Sequence, residues 1–186
     1  MRAHGCARGF SLAELLAVLA IASIALGVAA PNLRELLRVF EIKAAVNDLA
    51  GAIAFTRAQA IARNAQVKIA PRDPLGADWA RGWTVFVDTD GDRQPGADEE
   101  VIAVHGPIAD GIAADFAFSS PALPFYIAYN GAGRSCSDTN SATARFGTLS
   151  LFYGEQTRRI KINMLGRARV CDPARESGCE GAQGPP

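Results

Sequence analysis

A run of apolar residues at positions 10–33 constrains this chain more than any other feature. Glu14 is the only charged residue in the run, and the stretch after it is almost entirely apolar. At about 1.5 Å of rise per residue, a helix of this length crosses roughly 30 Å of hydrocarbon. The sequence therefore predicts a membrane-spanning helix close to the N-terminus.

The segment before this run is short, polar and basic. It carries Arg2, His4 and Arg8, whereas residues 15–33 are uncharged. Cations beside a membrane helix favour the cytoplasmic side, so the rest of the chain is expected on the periplasmic or extracellular side. The segment stops at Gly9, before the apolar run, whereas an ordinary signal peptide is cleaved after its apolar core. We therefore predict a cleavage site that precedes the run.

The residues around this site resemble the class III signal of type IV pilins and type II secretion pseudopilins. The resemblance is carried by Gly9, Phe10 and Glu14, followed by the apolar helix. It implies that a prepilin peptidase cleaves between Gly9 and Phe10 and methylates the new N-terminus of Phe10. It also implies that Glu14 meets the terminal amine of a neighbouring subunit during assembly, in keeping with the high cost of an unpaired carboxylate in hydrocarbon. A plain membrane anchor with a tolerated glutamate is the alternative.

The rest of the chain has the length of one small domain. Apolar side chains recur every three or four positions over residues 35–63, which predicts an amphipathic helix. They are Val39, Ile42, Val46, Leu49 and Ile53. Strand-like runs follow at 67–69, 82–87, 100–104, 125–129, 148–153 and 158–163. The predicted fold class is α+β with an antiparallel sheet packed on the helix, and the resemblance implies the pilin-like form of it.

These predictions divide the chain into a leader, a helix, a head and a tail. Residues 1–9 are the leader, and residues 10–34 are the half of the helix that serves in the membrane and in assembly. Residues 35–171 are the globular head, which includes the amphipathic half of the helix. Residues 172–186 lack a hydrophobic period and are expected to be a flexible tail.

Three cysteines remain after the leader, with Cys6, is removed: Cys136, Cys171 and Cys179. The predicted compartment permits disulfides. We favour a bridge between Cys171 and Cys179, which would staple the glycine- and proline-rich tail, and a bridge between Cys136 and Cys171 is the alternative. The chain has 2 histidines and one is in the leader, so a zinc site is not expected. No cofactor is expected either.

One acidic loop shares carboxylate spacings with a calcium-binding loop. Its acidic residues are Asp88, Asp90, Asp92 and Glu99. Gly91 precedes the third aspartate instead of following it, and Pro95 interrupts the loop. We therefore expect a solvated acidic turn and no metal site, with weak calcium binding as the alternative. The strand, turn and strand around this loop resemble a hairpin common in the GspH/FimT family of minor pseudopilins.

Basic residues are concentrated near the C-terminal end of the predicted head. In an extended strand, Arg159 and Lys161 alternate with Ile160 and Ile162, so the apolar side chains can face the core and the cations can face water. Gly166 is expected to act as a flexible joint. Two residues in the segment after it, Arg167 and Arg169, then point the same way about 7 Å apart. Guanidinium groups at this spacing can each bind a neighbouring phosphate.

The string Gly166, Arg167, Ala168, Arg169 is similar to the GRxR motif of FimT-type minor pilins, which are implicated in DNA uptake during natural transformation. The resemblance implies non-specific DNA binding, with phosphate contacts dominating because no aromatic residue is interleaved with the cations. The residues it implicates are Gly166, Arg167 and Arg169, assisted by Lys161, Arg159 and Arg158. The alternative is a structural or assembly-priming pseudopilin of a type II secretion system without DNA binding.

The same resemblance implies the partners and the location of the chain. Major and minor pilins or pseudopilins, the prepilin peptidase and, before assembly, inner-membrane lipid are the expected partners beside DNA. The chain would first be a single-pass inner-membrane protein with a periplasmic head and later part of a pilus or pseudopilus.

Charge and motif content argue against a protein that attracts polyanions through its net charge, and against an enzyme. The formal net charge is zero, so no global field attracts polyanions and any DNA-binding surface has to be local. His105 has no partner close in sequence that would make it a catalytic base, and no nucleophile elbow is present. We do not expect an enzyme.

Overall fold

The computed structural model describes residues 11–120 and 122–185, without the side chains of residues 28–32. The leader and Phe10 lie outside the described residues, so cleavage after Gly9 and methylation of Phe10 stay predictions. The chain divides into two units, Met1–Leu37 and Arg38–Pro186.

Helix α1 runs over Leu12–Arg63 and has a cap at each end. Ser11 precedes it, and its Oγ accepts a hydrogen bond of 3.2 Å from the amide of Glu14, as the N-cap serine of a Ser-x-x-Glu sequence does. Asn64 follows it with a φ of 47°, the left-handed conformation common after a helix C-terminus. The described side chains of the first unit are mostly exposed, Glu14 and many leucines included.

Among the described residues, no helix combines the length and the hydropathy that a membrane crossing requires. The predicted membrane segment, residues 10–34, includes Phe10 and the side chains of residues 28–32, which lie outside the description.

The second unit holds the strands of the described chain in two antiparallel sheets. They are β1 Val67–Pro71, β2 Trp83–Val87, β3 Glu100–His105, β4 Ala113–Phe118, β5 Ile127–Tyr129, β6 Ser135–Cys136, β7 Gly147–Tyr153, β8 Gln156–Ile162 and β9 Ala168–Cys171, with a short 3-10 helix at Trp79–Arg81. The sheet orders are β3-β2-β1-β5-β6 and β4-β7-β8-β9. The α+β prediction is confirmed, and every predicted strand is present. The sequence does not predict β4, β6 or β9. Two of these strands have little hydrophobic pattern, because β6 has two residues and three of the four residues of β9 are exposed.

The apolar stripe of α1 forms one core with both sheets. Ile42, Val46, Leu49 and Ile53 are buried as predicted, whereas Val39 is half-buried. From the sheets they meet Val67, Ile69, Trp83, Val85, Leu149, Leu151, Ile160 and Ile162. Full burial of one such side chain contributes about 1.5–3 kcal/mol, so this core fixes β8 with its isoleucines inward and Lys161 on the opposite face.

A tight turn joins β8 to β9, and Gly166 fixes its shape. The amide of Gly166 donates to the carbonyl of Asn163 at 2.9 Å, and the amide of Asn163 donates to the carbonyl of Arg167 at 3.1 Å. Gly166 has a φ of 76°, and a Cβ at this position would lie 2.6 Å from the carbonyl oxygen of Gly133. The predicted flexible joint is therefore corrected: this glycine is required because the backbone is left-handed and closely packed.

The disulfide and the tail cover the outer face of β8. Cys171 and Cys179 are bridged, which is the predicted pairing, and Cys136 is free and buried. The guanidinium group of Arg159 donates to the carbonyls of Cys179 and Ala182. The sequence predicts a loose tail, but the structure holds residues 178–182 against the sheet because their carbonyls accept these hydrogen bonds.

Candidate nucleic-acid interface

Three cations of the basic segment share one face of the second sheet. Lys161 pairs directly with Arg169 across β8 and β9, so their side chains lie on the same face. Arg167 lies in the turn just before β9 and lines the same cavity as these two residues. The three side chains line a shallow cavity of about 570 Å³, and we call their surface the arginine face.

The three cations differ in how strongly they are already paired. The Arg167 side chain is exposed and makes no hydrogen bond or ion pair with any residue that the structure describes. Arg169 pairs with Glu176 at 3.1 Å. The ammonium of Lys161 lies 3.5 Å from a carboxylate oxygen of Glu180. Exposed pairs of this kind contribute about 0–1 kcal/mol, so a phosphate can replace either glutamate at small cost.

The structure removes Arg158 and Arg159 from the predicted site. Arg158 is 7% exposed and Arg159 is 4% exposed. Arg158 lies on the same face of β8 as the core-facing isoleucines, and its guanidinium pairs with the Asp172 carboxylate at 3.2 Å. Arg159 does face outward, as predicted, but the tail covers it and accepts its hydrogen bonds. The prediction that these two arginines assist DNA binding is therefore wrong.

Two further arginines lie around the β8–β9 turn and were not predicted. The Nε of Arg57, on α1, donates to the carbonyl of Gly133 at 2.7 Å. That same carbonyl is the group that Gly166 approaches, so α1, the loop at residues 130–134 and the turn meet at one point. Arg134, next to Gly133, is exposed. A contact across 76 residues of sequence leaves no local signal, so spacing alone could not find Arg57.

Tyr129 lies beside Arg57 and is buried. Burial raises the pKa of the Tyr129 phenol far above its usual range, and the positive charge of Arg57 opposes this shift only in part. The hydroxyl is therefore protonated, and it makes no hydrogen bond within the described part of the chain.

The acidic loop brings Asp88, Asp90 and Glu99 together, with one oxygen of each within 4.8 Å of the others. Amides of the loop already bind these groups: Asp88 accepts from Gly91 at 2.6 Å, and Glu99 accepts from Thr89 at 2.5 Å. Partial burial raises the pKa of Glu99, but hydrogen bonds from backbone amides outweigh it and hold the pKa below its ordinary value. The Asp88 side chain is fully buried and paired with Lys68. The prediction of a solvated acidic turn therefore does not hold for Asp88.

A helix that begins near the N-terminus and packs on antiparallel sheets gives this chain the pilin fold. The model of the prokaryotic N-terminal methylation motif matches residues 5–30. The model of type II transport protein GspH matches residues 45–166, which is more than half of the chain, and the chain belongs to this family. It is therefore a minor pilin or pseudopilin, a structural protein and not an enzyme. Family membership implies that its partners are other pilins and a prepilin peptidase.

Two crystal forms of a type IV minor pilin have the same fold as this chain at low sequence identity. The type IV minor pilin FimU of Pseudomonas aeruginosa PAO1 is 16% identical, with a TM-score of 0.57 over 74% of this chain and 93% of that one. A second crystal form of FimU gives 15% identity and a TM-score of 0.55, with coverages of 73% and 97%. The minor pseudopilin EpsH of Vibrio cholerae gives 16% identity and a TM-score of 0.49, with coverages of 73% and 99%. No curated protein sequence matches the chain.

Proposed function

We propose that this chain is a FimT-type minor pilin that binds DNA without sequence preference through Arg167, Arg169 and Lys161, for uptake in natural transformation. The observation that supports this most is the exposed and unpaired guanidinium of Arg167 beside two cations whose partners are weakly held. Gly166 serves this face by fixing the turn that presents Arg167.

The chemistry of the arginine face suits the DNA backbone rather than the bases. Guanidinium groups bind phosphate oxygens in bidentate fashion, and a lysine adds a further positive charge. The basic segment offers no aromatic side chain for stacking between Arg158 and Arg169, so contacts to phosphate have to supply the affinity. One head then binds weakly, and several copies on one filament would raise the avidity.

Before assembly, the proposed place of the chain is the inner membrane, with the head in the periplasm. The match to the methylation motif supports cleavage after Gly9 and methylation of Phe10. Glu14 is exposed in the first turn of α1, where it is available to the terminal amine of another subunit. The exposed leucines of residues 12–37 also need an apolar environment, which lipid and then neighbouring pilin helices would supply. We keep the proposed division of the chain into a leader at 1–9, a helix half at 10–34, a head at 35–171 and a tail at 172–186.

The test compares two double variants of the full chain in neutral detergent. Arg167→Gln with Arg169→Gln removes the two proposed phosphate ligands, and Arg72→Gln with Arg81→Gln removes two exposed arginines elsewhere. We expect the first pair to weaken duplex DNA binding at low salt by about a hundredfold, since charge-assisted hydrogen bonds contribute about 1.5–3 kcal/mol each. Equal retention of DNA by the two double variants in a gel-shift assay would defeat the proposal.

The alternative is a structural or assembly-priming pseudopilin of a type II secretion system. The match of the GspH model to residues 45–166 favours it. A deletion strain separates the two functions. Loss of transformation with normal enzyme secretion supports the DNA-binding pilin, and the reverse result supports the pseudopilin.

A further inference from the structure

A second cavity lies between α1 and the β8–β9 turn, and Arg167 lines it as well. Its volume is about 450 Å³, within the range of natural ligand pockets. Arg57 and Ile61 line it from α1, Tyr129 from β5, and Gly166 and Arg167 from the turn. We call it the turn cavity. Arg167 lines both this cavity and the arginine face.

The charges in the turn cavity are uncompensated. Of the described residues that line it, two are arginines and none is acidic. On the arginine face, by contrast, Glu176 and Glu180 already occupy Arg169 and Lys161. Within the described part of the chain, neither Arg57 nor Arg167 pairs with a carboxylate. An anion that enters the turn cavity therefore displaces no protein partner.

Two of the proposed donors, Arg57 and Tyr129, are held in place before a ligand arrives. The hydrogen bond from the Nε of Arg57 to the carbonyl of Gly133 fixes the guanidinium plane and leaves both terminal nitrogens without a described partner. Tyr129 also lines the cavity, and its buried, protonated hydroxyl has no described partner, so an anion beside Arg57 would supply the acceptor that this hydroxyl lacks. Donors that are already ordered lose less conformational entropy on binding.

We propose that the turn cavity is a binding site for one phosphate group, held by the guanidinium groups of Arg57 and Arg167 with the Tyr129 hydroxyl as a further donor. The proposal rests on the proposed function in taking a DNA strand as the source of that phosphate. Arg167 then lies between this fixed phosphate and the arginine face. The cavity would set where the strand lies, and the arginine face would follow the backbone from there.

The experiment titrates the full chain in neutral detergent with two probes, inorganic phosphate followed by ³¹P line broadening and labelled duplex DNA followed by anisotropy. We expect Arg57→Gln to weaken phosphate binding by about tenfold and to weaken DNA binding in the same direction. The matched control, Arg72→Gln, removes the same charge from a residue outside the turn cavity and should change neither.

Tyr129→Phe guards against a folding artefact, because it keeps the buried ring and removes only a hydroxyl that has no described partner. It should leave the melting temperature unchanged or higher and weaken phosphate binding by about fivefold. The phosphate site is overturned if Arg57→Gln and Tyr129→Phe both titrate phosphate as Arg72→Gln does, whether or not DNA binds. Phosphate binding that depends on Arg57 without any DNA binding overturns the proposed function and keeps the site for another phosphate ligand.

Discussion

At the scale of single residues, Gly166 decides whether the arginine motif has a fixed shape. Its φ of 76° disfavours any residue with a Cβ, and that Cβ would lie 2.6 Å from the carbonyl oxygen of Gly133 and 2.8 Å from the amide nitrogen of Ser135. Both neighbours are backbone atoms, so neither can turn aside as a side chain would. The glycine of the motif therefore has a structural cause that is separate from any contact with DNA.

Replacing Gly166 with alanine should lower the free energy of unfolding by about 2–4 kcal/mol, because the left-handed backbone and the contact with Gly133 both oppose the added Cβ. Urea denaturation followed by tryptophan fluorescence measures the change. Gly184→Ala is the matched control, since a Cβ there meets no atom within 4 Å and its φ is ordinary. Equal unfolding midpoints for the two variants would show that the turn accommodates a Cβ at position 166. The close packing assigned to Gly166 would then be wrong.

At the scale of elements, the tail and the β8–β9 hairpin compete with phosphate for the same cations. Glu176 pairs with Arg169 and Glu180 with Lys161, and the carbonyl of Gly178 accepts from Lys161 at 2.9 Å. The disulfide between Cys171 and Cys179 closes the chain around these contacts. The tail therefore acts as an internal anion that DNA has to displace.

The double variant Glu176→Gln with Glu180→Gln should raise the affinity for duplex DNA by about fivefold, since it removes two exposed ion pairs that compete with phosphate. Fluorescence anisotropy at fixed low salt measures the change. The control, Asp110→Asn with Glu155→Gln, alters the net charge equally at exposed residues of other loops. If both double variants gain the same affinity, net charge is the cause and competition by the tail is ruled out.

The elements also show where sequence patterns reach their limit. Alternation along β8 correctly places Ile160 and Ile162 in the core, and it places Arg159 on the outer face. It cannot show that the tail then covers Arg159, because the tail uses backbone carbonyls, which every residue has. For the same reason, sequence patterns predict that a segment without a hydrophobic period is loose, even where backbone hydrogen bonds hold it in the folded protein. The sequence does not identify Arg57 as a site residue, because only the fold brings Gly133 and Gly166 close to it.

At the scale of the whole molecule, zero net charge limits what DNA binding can look like. The chain has 19 basic and 19 acidic residues, so it produces no long-range attraction and the affinity has to come from the few cations of one surface. A head of this kind is expected to bind weakly on its own. Presentation of several copies along one filament would convert weak single contacts into retention of a long strand.

The dependence of binding on salt tests this view, because each phosphate that a protein neutralises adds about −0.9 to the slope of log K against log salt concentration. With Lys161, Arg167 and Arg169 as ligands, we expect a slope of about −3 for a single chain in detergent, and Arg57 would bring it closer to −4. The pair Arg167→Gln and Arg169→Gln should reduce the magnitude by about two, whereas Arg72→Gln should leave it unchanged. A slope that is steep in every variant would mean that charges spread over the molecule bind the DNA, and a slope near zero would mean that phosphate contacts contribute little.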